Sequence, residues 1–131
     1  MEKAMMIEIL KEMQIKYNCI TEIERITREM GDSLSRNDRE LVQMLLGMRQ
    51  EEMDKADVST SNVDCLIVAL RPEEVSKIRT WLKGSTDVNP DTPEAQMLVE
   101  KGKNIHLALK RTIELDRHIS LRLSGKDSYY H

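Results

Sequence analysis

The sequence predicts an all-α fold: an elongated antiparallel helical bundle with long amino- and carboxy-terminal helices and shorter middle helices. Three observations carry this. A heptad stripe fills the first quarter of the chain: Met6, Ile9, Met13, Lys16, Ile20, Ile23, Thr27, Met30 and Leu34, with seven of its nine positions apolar. Such a seam must be buried against other helices or against a partner. A second stripe lies at the other end: Leu98, Gly102, Ile105, Leu109, Thr112, Asp116, Ile119 and Leu123, five of eight apolar. The composition supplies little turn material, five Gly and three Pro, and no Phe, one Trp and three Tyr. An all-β domain needs many turns and more aromatic and β-branched residues.

The first helix is expected from about Ala4 to about Leu34, where Gly31-Asp32-Ser33 weakens it. Thr27 and Lys16 interrupt its seam and are read as edge positions, since a lysine stem can lie along apolar surface. Asn37-Asp38-Arg39-Glu40 reads as a helix start, with Asn37 as cap and Glu40 as the second half of a capping box. Helix two then carries Leu41, Val42, Met44, Leu45, Leu46, Met48, Met53 and Ala56. Its first half is apolar nearly all round, which calls for cover on more than one side. Asp57-Val-Ser-Thr-Ser-Asn62 reads as a polar turn. Val63, Leu66, Ile67 and Leu70 recur at helical spacing and predict a short helix.

Pro72-Glu73-Glu74 suits the first turn of another helix, which carries Val75, Ile78, Trp81 and Leu82 and stops at Gly84. Ser85 to Pro93 is a loop. The last helix starts at Thr92-Pro93-Glu94 and runs to about Ser124, with Gly125 as the stop. Leu107, Ile113, Leu115 and Leu121 lie off its seam, so its apolar face is wide or it has two contact faces. At 131 residues the whole chain, 1–131, reads as one domain, with a tail over 125–131 that has no periodicity.

The formal charge of −3 is spread in both signs, and aromatic platforms are absent, so no nucleic-acid partner is expected. The longest apolar run, Cys65 to Leu70, is six residues, too short for a signal peptide or a membrane span. Cys19 and Cys65 form no C-x-x-C pair and read as buried small apolar residues of a reducing compartment. A soluble cytoplasmic protein is the expectation.

Chemistry is sparse. His106, His118 and His131 make no pair at metal-ligand spacing, and Glu114 with His118 reads as an ordinary i, i+4 contact. No Gly-rich phosphate loop and no nucleophile elbow occurs. Neither a metal nor a cofactor nor an enzymatic activity is expected. Arg111 and His118, with six residues between them, resemble at its upper limit the Arg–His motif of HEPN-type ribonucleases, but Glu114 and Asp116 beside it would repel a phosphodiester. The nine methionines read as core filler, or as an adaptable apolar surface for another protein's helix.

The organisation is similar to one known family. A long first helix ends in the polar turn Gly31-Asp-Ser-Leu-Ser-Arg-Asn-Asp38. A Leu/Met-rich second helix follows, Glu40-Leu-Val-Gln-Met-Leu-Leu-Gly-Met-Arg-Gln-Glu-Glu-Met-Asp-Lys55. The last helix closes with Ile113-Glu-Leu-Asp-Arg-His-Ile-Ser-Leu-Arg-Leu123 and a Gly-Lys-Asp-Ser-Tyr-Tyr tail. This pattern resembles the FlgN-type flagellar export chaperones, while Cys65–Leu70 and the Pro72 helix depart from it. The resemblance implies a non-enzymatic cytoplasmic chaperone that holds hook–filament junction subunits before export, through its last helix. On that reading Ile105, Leu109, Ile113 and Leu121 are, by position, the expected partner-binding residues, an expectation motivated by the apolar residues off the seam. The competing reading is a self-associating structural protein, a homodimer that consumes both faces of the end helices.

Overall fold

A computed structural model describes residues 3–123, with side chains to Leu121. Four helices account for nearly all of it: α1 (Lys3–Ser35), α2 (Arg39–Ile67), α3 (Pro72–Leu82) and α4 (Pro93–Leu123). The all-α bundle with long end helices is therefore the fold.

The chain turns between α1 and α2 on Asn37, whose φ of 63° is left-handed. Asn37 is thus the turn residue, and the cap is Asp38, whose carboxylate accepts the Leu41 N–H at 3.1 Å. The expected polar turn at Asp57–Asn62 is absent. α2 runs through it to Ile67 without a break, so the short helix expected from Val63 is the last part of α2. The reason is packing. Ala56, Ser59, Val63 and Ile67 continue the seam of Val42 and Leu45, and all are buried. Thr60 removes its own competition by donating its hydroxyl to the Ala56 carbonyl at 3.1 Å.

α3 and α4 start as their sequences require. Pro72 stands in the first turn of α3, and Thr92 caps α4 by accepting the Ala95 N–H at 3.1 Å. Gly84 ends the α3 region with a φ of 81°. The stop expected at Gly125 lies outside the described residues.

α1 is the central helix. α2 and α4 both pack along it, and α3 packs on α4. α2 runs antiparallel to α1, as Asn62 against Glu12 shows. α4 runs in the same direction as α1: Glu94 meets Lys3, Lys101 meets Gln14, Arg111 meets Glu24, and Ile119 sits over Gly31.

The core has two parts. The larger lies at the amino-terminal end of α1, where Met6, Ile9 and Met13 meet Ile67, Ile78, Trp81 and Leu98. Trp81 satisfies its indole N–H on the Val88 carbonyl at 2.9 Å, which ties the loop down over α3. Each such side chain contributes about 1.5–3 kcal/mol when fully buried. The smaller core, Ile26, Met30 and Leu45, closes the other end. The α3–α4 crossing depends on Gly102. A Cβ there would stand 2.4 Å from the Leu82 carbonyl oxygen.

Candidate partner-binding surface

The four helices leave many large apolar side chains in water. On α4 these are Met97, Leu107, Leu109, Ile113 and Leu121; on α2 they include Met44, Met48 and Met53. The four residues expected to bind a partner separate. Ile105 is 8% exposed and belongs to the main core, so the fold itself takes it up. Leu109, Ile113 and Leu121 are exposed, at 39%, 57% and 66%.

Their directions differ. Arg49 of α2 and Asp116 of α4 meet at 3.2 Å, so both point into the gap between those helices. Leu109 and Ile113 stand seven and three positions before Asp116 and share its face. Leu46 and Met53 stand three before and four after Arg49 and share its face in turn. Leu107 and Leu121 lie on the far side of α4 by the same register. Leu109 and Ile113 therefore form one wall of a groove, Leu46 and Met53 the other, and α1 the floor.

The polar tie across this groove involves a third helix. Arg49 also donates to the Thr27 hydroxyl at 3.2 Å, and Thr27 donates to the Ile23 carbonyl at 2.8 Å. Thr27 was expected at the seam's edge, but it is fully buried at its centre. Its hydroxyl is tolerated because both hydrogen-bonding roles are filled. Arg49 was not singled out in the sequence. Its place on the α2 seam, between Leu45 and Ala56, is the signal that marks it.

The two ends of the groove are unequal. At the lower end α3 lies over it, with Arg79 against Asp64 of α2 at 3.5 Å. Where α3 stops, a cleft of about 180 Å³ opens among Lys16, Thr60, Asp64, Arg79, Leu82 and Ile105. α3 has 11 residues against 29 to 33 in its neighbours, so it covers less than half of the groove.

Of the Arg111–His118 pair, only the arginine is tied into the fold. Arg111 donates to both carboxylate oxygens of Glu24, at 3.2 and 3.3 Å, and this pairing holds its guanidinium above its ordinary value. His118 is exposed, two helical turns further on. Among the described residues no group of His, Cys, Asp and Glu is placed to hold a metal ion. No helix among them is long and apolar enough to cross a membrane. Cys19 is buried, as expected, whereas Cys65 is exposed, contrary to expectation, because it falls on the outer face of α2.

Comparison with protein families, with curated proteins and with solved structures finds no match to this chain.

Proposed function

We propose that this protein is a non-enzymatic binder of amphipathic helices, and more narrowly a cytoplasmic export chaperone of the FlgN type that holds hook–filament junction subunits. The observation that carries the reading is the exposed apolar surface of α4 and α2. A helix that buries one face in its own bundle and offers Leu109 and Ile113 beside it has a second face for another helix. Met44, Met48 and Met53 add side chains that adapt their shape to differing ligands. The resemblance in helix order supports the narrower form.

Calorimetric titration with the carboxy-terminal helical segments of the source organism's hook–filament junction proteins tests it. Micromolar binding, lost in a Leu109→Lys, Ile113→Lys variant of unchanged helicity, is the expected result. Binding that survives both substitutions would remove α4 as the site. No heat with folded protein would remove the chaperone reading.

A further inference from the structure

We propose that the cleft at the end of α3 binds a small monocarboxylate with a branched aliphatic chain. The carboxylate meets Lys16, and the chain lies on an apolar floor to which all four helices contribute. The cleft does not include Leu109 or Ile113, so this site goes beyond the helix-binding reading and does not depend on it.

The cleft exists because α3 stops. Ile78 and Trp81 of α3 fill the core, and Leu82 is the last residue of that helix. Beside it a space of about 180 Å³ is left against α1, α2 and α4. Its floor takes one apolar side chain from each helix: Met13, Val63, Leu82 and Ile105. Met13, Val63 and Ile105 are buried, so the floor is set by the fold. An apolar space of about 150 Å³ is enough for a six-carbon ring, so this one has room for a chain of about five or six carbons.

The wall above this floor is cationic. Lys16 stands on the seam of α1 between Met13 and Ile20, both buried, where an apolar residue would complete the core. It is partly buried and lines the cleft, and among the described residues it makes no hydrogen bond and no ion pair. The acids nearby are engaged elsewhere. Glu12, one turn before Lys16, accepts from the Asn62 side chain at 3.3 Å, and Asp64 faces Arg79 at 3.5 Å. A partly buried ammonium offers three donors and needs acceptors, and a carboxylate supplies them through charge-assisted hydrogen bonds. Arg79 ties to Asp64 through one terminal nitrogen and keeps further N–H groups for the same anion. The acids on the rim set the ligand's charge at one, because a second negative charge would lie against Glu12 or Asp64. One negative charge beside a short apolar chain is the chemistry of a small fatty acid such as isocaproate.

The test is an NMR titration of the isotopically labelled full chain, read at the backbone amides. The probes are isocaproate, its neutral amide and acetate. Isocaproate should shift the amides of Thr60, Val63, Leu82 and Ile105 saturably, with a Kd of about 1 mM. The neutral amide should bind about tenfold more weakly, since it lacks the charge that Lys16 meets. Acetate should bind about a hundredfold more weakly, since it lacks the chain that covers the floor. Lys16→Met keeps the length of the side chain and removes its charge, so it should bring isocaproate down to the level of the amide. Lys16→Arg should restore the preference for the acid. Circular dichroism checks that both variants fold, and the comparison of acid with amide in the unaltered chain needs no variant. Equal binding of acid and amide, full binding in Lys16→Met, or saturable shifts confined to other amides would each overturn the site. So would the absence of any saturable shift. None of these results touches helix binding at Leu109 and Ile113, which the calorimetric titration reads separately.

Discussion

Burial pushes the Cys19 thiol above its ordinary value, and a hydrogen bond with Glu52 pushes in the same direction. A thiolate is the reactive form, so Cys19 is protected twice, by access and by protonation. Treatment of the native protein with a thiol reagent near neutral pH should modify Cys65 fast and Cys19 only after unfolding. Peptide mass mapping reads this, and fast modification of native Cys19 would contradict the packing of α1 on α2. Gly102→Ala should lower stability by about 1–3 kcal/mol, because the added methyl overlaps the end of α3 and something must shift. Arg49→Ala should cost about 1–3 kcal/mol in a denaturant titration, since it strips the buried Thr27 hydroxyl of its donor and Asp116 of its ion pair. Of these residues, the cysteines were half legible in the sequence. Their spacing argued against a metal site, but the face each occupies depends on the full length of α2. Arg49 looked like one of many surface bases. Only α4, folded back over a distance of 67 residues, shows it as the tie between α2 and α4.

At the scale of elements, the helix ends marked by Pro72, Gly84 and Pro93 were legible because those residues restrict the backbone itself. The interior of α2 was not. Asp57, Ser59, Thr60, Ser61 and Asn62 all favour turns over helix in an isolated chain, because their side chains compete for backbone hydrogen bonds. In the fold Ser59 is 2% exposed and sits on a seam that continues on both sides, so tertiary packing decides. A substitution separates the alternatives. Ser61 is exposed on the outer face of α2, where a proline would break the backbone ladder and nothing else. Ser61→Pro should destabilise by about 3 kcal/mol in a helix, whereas a surface turn would tolerate it. A thermal melt left unchanged would mean that α2 is broken there.

At the scale of the whole molecule, the bundle class follows from two apolar stripes and a shortage of turn residues. The direction of α4 does not. α3 and α4 both run with α1, because the loop over 85–92, held by Val88 on Trp81, carries the chain back down before α4 begins. No local pattern encodes that return. The same holds for the groove, whose walls come from helices half the chain apart and whose opening is set by how short α3 is. Because α1 and α4 point the same way, Lys3 and Leu123 mark opposite poles of the molecule, about 45 Å apart along α4. An energy-transfer pair attached at Lys3 and Ser120 should accordingly show weak transfer, whereas an α4 folded against α1 head to tail would bring the dyes together. The molecule is thus a rod with distinct poles. A bulky label at Lys3 stands away from the open part of the groove, and one at Ser120 stands at the same end as it. Immobilising the chain by its amino-terminal pole leaves the groove facing solution, and tethering it by the other pole turns that surface toward the support.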